Sequence, residues 1–356
     1  MNRRHFIAAM SALGALPLLP KAVRAAPERL PRGMVTFTFD DGIASNYQYA
    51  LPILKSRGHL ATAGIVVTRM LSGNNDYMTV DQVRELAANG WEIASHSLTH
   101  SRPIQIPKTY EQEPVSDWHA DQADANLFQA QYEYERIAGL YQDGQPLKEV
   151  ENLSQLRSVK GSYWHDQAIA ELHVHPLRGG DPSGLGILAG SYQREMEQSK
   201  KMLTGLGFDV DTYIAPHNYW TEDVEAISRR YYKRACTGRD SDNRPSSFDP
   251  FAIRRFMAHA RDSVQSYVRI IKDHCLEYGG WVVFCFHGVG DKTGWEPVSS
   301  ETLDGVSSWV AGQSIPVVTI RQGCKIMEDL RNGTRQPAPE TAGMDKNNIS
   351  NKKKGS

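Results

Sequence analysis

The feature that most constrains this chain is an alternation. Short apolar runs of strand length are separated by segments of helical period, and several runs stop at carboxylate or imidazole side chains. Met34-Val35-Thr36-Phe37-Thr38-Phe39 ends at Asp40-Asp41-Gly42. A helical segment over 45–57 follows, closed by Gly58, and then a second run over 63–67. Thr79-Val80-Asp81-Gln82 has the form of a capping box and opens a helix that closes at Asn89-Gly90. Trp91-Glu92-Ile93-Ala94 then delivers Ser95-His96. After residue 190 the rhythm resumes, with helices expected over 193–203, 221–232, 263–278 and 300–311. Strands are expected over 210–215, 234–237, 252–256, 281–286 and 317–318, the run 281–286 ending at His287-Gly288. Strands that alternate with helices form a mostly parallel sheet covered by helices. Seven or eight such units favour a deformed β/α barrel of about seven parallel strands.

Residues 101–190 break the rhythm. They are rich in Gln, Glu, Asp, Tyr and Trp, with one helix expected over 123–141 and Gly/Pro-rich turns such as Arg178-Gly179-Gly180-Asp181-Pro182-Ser183-Gly184. They read as a loop-rich insertion on the loop face of the barrel rather than as a separate domain.

Both ends stand apart. Arg3, Arg4 and Phe6 precede an apolar run from Ile7 to Leu19, then Lys21 and the small-residue stretch Val23-Arg24-Ala25-Ala26. A charged start, a short apolar middle and a small-residue cleavage site describe an export signal, here over residues 1–26. The paired arginines make it the twin-arginine type, which implies a periplasmic or secreted protein. The apolar run is too short, and too interrupted by Pro17, for the roughly 20 residues a membrane span needs, so no transmembrane segment is expected in the mature protein. Residues 331–356 are polar, end in Lys352-Lys353-Lys354, and are expected to be disordered. With a formal net charge of −1 over 356 residues, no global field favours nucleic acid or an anionic surface. Cys236, Cys275, Cys285 and Cys324 show no C-x-x-C spacing, which argues against a thiolate metal site. Cys285 lies in an apolar run and reads as a small buried hydrophobe.

The chemistry lies at the strand ends. Two adjacent carboxylates, Asp40 and Asp41, are costly beside a buried strand without a counter-charge, and their repulsion leaves one to bind a cation and the other basic. A solvated turn is the bland alternative. His96 and His100, four residues apart, are able to reach one metal ion, although such a pair is more often a surface feature. In a β/α fold, however, all the carboxyl ends of the strands meet on one face, where active sites form. Asp40-Asp41, His96/His100 and His287 then converge.

Three of these segments, Thr38-Phe39-Asp40-Asp41-Gly42, Ser95-His96-Ser97-Leu98-Thr99-His100 and Phe286-His287-Gly288, resemble signature motifs of the polysaccharide deacetylases. These share the NodB-homology domain and form carbohydrate esterase family 4. The resemblance covers residues 33–326 apart from the insertion 101–190. It implies hydrolysis of N-acetyl groups on amino sugars of a polysaccharide or oligosaccharide. Asp41, His96 and His100 would hold a divalent metal, zinc first, with cobalt, nickel or manganese as alternatives. Asp40 would be the general base and His287 the general acid.

The chain departs from the pattern in its third motif. Where many members have Arg-x-Pro-Tyr, it reads Ile214-Ala215-Pro216-His217-Asn218. His217 falls at the oxyanion position, which needs only a main-chain donor. Arg254 or Arg255, at another strand end, is left to replace the missing guanidinium. Arg255 is the choice, against the reading that both are surface arginines. No acidic residue that would orient His287 is identifiable. Trp220 is taken as a sugar-stacking subsite wall. His119, His165, His173 and His175 read as ordinary residues of the insertion. Two other readings compete with an N-deacetylase: an O-acetyl (xylan-type) esterase or small-molecule amidohydrolase on the same fold, and a carbohydrate-binding protein without catalysis.

Overall fold

The computed structural model of the chain describes residues 30, 33–100, 113–134 and 137–332. The segment 1–26, expected to be an export signal, and nearly all of the polar tail lie outside them. Seven strands form a closed, all-parallel barrel: β1 (Met34–Phe39), β2 (Ala61–Ile65), β3 (Glu92–Ser95), β4 (Thr212–Ile214), β5 (Arg234–Arg239), β6 (Ile253–Met257) and β7 (Trp281–Phe286). Each strand pairs with the next in sequence, and β7 closes on β1 in register from Met34↔Trp281 to Phe39↔Phe286.

The two-residue period of a strand sorts the side chains. On β1, Val35, Phe37 and Phe39 face outward into the apolar layer beneath the helices, as do Val282, Phe284 and Phe286 on β7. The alternate residues point into the barrel. Low in the lumen these are Met34, Trp281, Val283, Ile214, Cys236 and Ile253. Trp281 is fully buried and its Nε1–H donates to the Thr36 hydroxyl (2.9 Å). Among these apolar side chains the lumen also holds Glu92, which accepts from the hydroxyls of Thr62 and Thr212 near the amino ends of the strands, while the titratable cluster lies at the carboxyl ends.

Three sequence expectations are corrected. The run 317–318 makes only an isolated bridge between Val317 and Val35. It leads into a helix, Ile320–Arg331, that begins with a capping box of Thr319 and Gln322. That helix closes the amino-terminal end of the barrel with Cys324, Met327 and Leu330. The helix expected over 263–278 is α-helical only at Val264–Ile270 and continues as a π-helix, Ile271–Glu277. The helix expected over 123–141 is absent, and its residues form the strands Phe128–Gln131 and Ile137–Gln142. Phe128, Ala130 and Tyr132 alternate with polar residues, and that period of two buries them in a separate apolar cluster with Trp118, Leu172 and Val174. The segment expected to be loop-rich therefore holds a five-stranded and a four-stranded sheet.

Candidate active site

A cavity of about 880 Å³ opens at the carboxyl ends of the strands, and Asp40, Asp41, His96, His100, His217, Arg255 and His287 all line it. Strand periodicity explains the convergence. Asp40 continues the inward row of β1, His287 continues Cys285 on β7, and Arg255 follows Ile253 inward on β6, whereas Arg254 points out to solvent. Gly64 on β2 faces the same lumen. A Cβ there would lie 3.0 Å from Ile214 Cδ1, a tight contact, and at ordinary contact distance from Asp40 Oδ1 (3.4 Å) and His96 Cβ (3.5 Å), so the strand packs closely behind the two groups.

Asp40 and Arg255 form an ion pair that is almost wholly buried, at 2% and 1% exposure. Arg255 Nη1 donates to Asp40 Oδ1 (2.8 Å), to Oδ2 (3.0 Å) and to the Thr38 hydroxyl (3.2 Å). Its Nη2 donates to Asn218 Oδ1 (3.3 Å). The Cys285 thiol donates to Asp40 Oδ2 (3.3 Å), so it is a polar partner of the carboxylate rather than the apolar filler expected. Burial by itself would raise the Asp40 carboxyl. The Arg255, His96 and His287 charges outweigh it and hold the group well below the usual carboxylate range.

The second carboxylate has different company. His96 Nδ1 lies 2.8 Å from the Ile214 carbonyl, which only accepts, so Nδ1 carries the proton and the lone pair of Nε2 faces the cavity. His96 Nε2 is 3.6 Å from Asp41 Oδ1, and His100 Nε2 is 3.2 Å from the same oxygen. Burial first, then the neighbouring His96 and Arg69, push His100 far below the ordinary imidazole value and keep it neutral. The ligand atoms of Asp41, His96 and His100 lie within 4.8 Å of one another. Bonds of about 2.1 Å in a tetrahedron give ligand–ligand edges of about 3.4 Å, between the two separations found. Two imidazoles and a carboxylate at this spacing fit a divalent metal of the zinc type.

His287 stands on the other side of Asp40. Its Nδ1 is buried without a hydrogen-bond partner among the described residues. Burial lowers its pKa, against the opposing pull of Asp40 and Asp41. No carboxylate orients this ring. It packs instead at 5.0 Å, edge-on, against Trp295. His217 sits in a left-handed conformation (φ 57°) with its ring 4.5 Å from that of His100. Asp41, Ser97, His100 and Asn218 also have positive φ, so backbone strain is concentrated at the mouth of the cavity.

Trp220 is not part of this cavity. It is partly buried against the outer layer of the barrel, beside Tyr213, and its Nε1–H donates to Glu225 Oε2 (3.2 Å). The tryptophan at the mouth is Trp295, 48% exposed, with His259 and His287 against its edges. Sequence reasoning also missed Arg69, whose Nη1 donates to Asp41 Oδ1 (2.8 Å), and Asn218. Only the position of Trp295, eight residues beyond His287, hinted at its place.

A closed β/α barrel with a carboxylate–imidazole centre at the carboxyl ends of its strands is the class of protein that fold and site define. Residues 28–141 match the family model for polysaccharide deacetylases, and the kinship read from the motifs is shown: the chain is related to the polysaccharide deacetylases. YxkH of Bacillus subtilis (strain 168), which bears the name of a polysaccharide deacetylase, is 34% identical over 83 residues, 23% of this chain. The chain matches 29% of the length of that relative. Among solved structures, the family 4 carbohydrate esterase from Streptomyces lividans in complex with acetate is 13% identical (TM-score 0.41), covering 80% of this chain and 91% of that one. Peptidoglycan deacetylase PdaC from Bacillus subtilis is 11% identical (TM-score 0.43), covering 85% and 94%. Likeness at this level carries no inference about activity. Among the described residues, no helix is long and apolar enough to cross a membrane.

Proposed function

We propose that the protein is an exported, metal-dependent deacetylase that hydrolyses N-acetyl groups of an N-acetylhexosamine-containing polysaccharide in the periplasm. The observation that carries this reading is the division of labour between adjacent carboxylates. Asp41 Oδ1 lies 3.6 and 3.2 Å from the Nε2 atoms of His96 and His100, while Asp40, whose Oδ2 is 3.9 Å from His96 Nε2, is held in a buried ion pair with Arg255. Asp41, His96 and His100 would hold the metal, zinc or another divalent ion, which when bound supplies Lewis acidity and lowers the pKa of water.

The other steps belong to side chains. Asp40, kept ionised by Arg255, accepts a proton from the attacking water as its oxygen adds to the acetyl carbonyl. A main-chain N–H at the His217 turn stabilises the oxyanion. His287 donates a proton to the sugar nitrogen as the C–N bond breaks, and acetate and the free amine leave. Trp295 offers its exposed face to a sugar ring. The buried, half-dry setting of Asp40 and His287 strengthens each of these interactions relative to water.

The test combines elemental analysis of the mature protein with acetate release from N-acetylglucosamine oligomers and from acetylated xylan, with and without chelator. Chelator-sensitive release from the amino-sugar oligomers is expected, and Asp40→Asn should abolish it while the metal stays bound. Release from xylan alone would make the protein an O-acetyl esterase. Sugar binding with no release from either substrate would make it a binding protein.

A further inference from the structure

The helix Tyr192–Gly205 follows the insertion and packs against the outside of β3. Its Glu195 is 4% exposed, a depth at which a carboxylate persists only when donors surround it. Among the described residues, the donors come from the three-residue segment that separates His96 from His100. The Thr99 N–H donates to Oε2 and the Thr99 hydroxyl to Oε1, each at 2.8 Å. Ser97 Oγ, within the same turn, accepts the N–H of His100 (2.8 Å). One helical turn further on, Ser199 Oγ meets Ser95 Oγ (2.5 Å), just before His96. Ser97 and His100 both have φ of 67°. Two L-residues held left-handed within four positions relax unless something holds them.

We propose that Glu195 is a positioning residue for the metal centre. Its carboxylate gathers the two Thr99 donors of the Ser97–Thr99 turn, and so holds His96 and His100 with their free nitrogens aimed at Asp41. The proposal rests on the reading of Asp41, His96 and His100 as metal ligands. It assigns part of that site to an element reached only after the insertion, about a hundred residues along the chain from the imidazoles it serves.

The fit of donors to acceptor dictates the test. Glu195→Ala removes both contacts with Thr99. Glu195→Gln keeps the shape and one carbonyl acceptor but turns an amide N–H₂ toward a hydroxyl. Full-length mature protein is stripped of metal, and zinc affinity is measured by competition with a chromophoric chelator, while the visible spectrum of the cobalt form reports ligand geometry. Loss of a group that orients metal ligands weakens binding about 10–100-fold. That range is expected for Glu195→Ala, with an altered cobalt spectrum, a smaller loss for Glu195→Gln, and an unchanged far-ultraviolet circular dichroism spectrum. Glu197→Gln, on the same helix but bonded to the Tyr231 hydroxyl instead, should bind zinc within twofold of the parent. If Glu195→Ala does not fold, Glu195→Gln and Thr99→Val decide. A parent protein that binds no zinc overturns the deacetylase reading itself. A parent that binds zinc, with Glu195 variants binding it equally well and with the parent's cobalt spectrum, overturns the positioning role alone.

Discussion

Replacing Arg255 with Met removes the counter-charge from Asp40 and little volume. In the parent protein Arg255 Nη1 contacts both carboxylate oxygens, and neither partner is more than 2% exposed. Breaking one side of such a pair costs about 3–5 kcal/mol, because the remaining charge stays buried and unpaired. The Cys285 thiol and the Thr38 hydroxyl are too weak to replace a guanidinium. The assay is equilibrium unfolding in guanidinium chloride, in the presence of chelator, at pH 7 and at pH 5. The pH dependence has a definite sign. With Arg255 present, the Asp40 pKa is depressed, so its contribution to stability is complete above the unfolded value of about 4 and is lost as pH falls through the folded value. Without Arg255, burial raises the carboxyl, and the folded variant gains stability by taking up a proton as pH falls. The deficit of Arg255→Met is therefore largest at pH 7 and narrows toward pH 5. Adding Asp40→Asn removes the orphaned charge and should recover more than half of the loss. A single-variant deficit below about 1 kcal/mol, or one that does not change with pH, would refute the reasoning.

Two more predictions separate observed geometry from sequence expectation. Trp295→Ala should raise KM for an oligomeric substrate severalfold and leave kcat within about twofold, while Trp220→Phe changes neither; steady-state kinetics on N-acetylglucosamine oligomers decide between them. All four cysteines are free and buried, so the native protein should react with almost none of an added aromatic disulfide and the unfolded chain with four equivalents, read from thiolate release; rapid reaction of Cys285 in the native state would contradict its burial behind Asp40.

Much of the site was legible because two periodicities act locally. An apolar run with a period of two marks a strand, a strand end in a β/α fold marks the active face, and any carboxylate or imidazole at that point becomes a candidate. Asp40, Asp41, His96, His100 and His287 follow from that reasoning, whereas the choice of Arg255 over Arg254 is decided by the structure, where Arg255 follows Ile253 inward. The same reasoning failed where a local pattern had two solutions. Over 123–141 the apolar residues satisfy a helical period loosely and a strand period strictly between Phe128 and Tyr132, and only pairing with Glu171–His175 selects the strand. Thr319-Ile320-Arg321-Gln322 has the capping pattern already recognised at Thr79, but the apolar pair 317–318 ahead of it read as a strand, and a helix beyond it was overlooked.

What the order of residues determined by itself is the alternation that makes a parallel barrel and the chemical type of each group at its rim, because these depend on interactions between near neighbours in the chain. Which groups meet was decided by tertiary structure. Barrel closure brings β6 and β7 beside β1, so that a guanidinium and a thiol more than 200 residues away take hold of Asp40. It turns Trp220 outward to Glu225 and leaves Trp295 at the mouth. Such pairings rest on the closing of long loops and the packing of distant strands, and no local spacing encodes them.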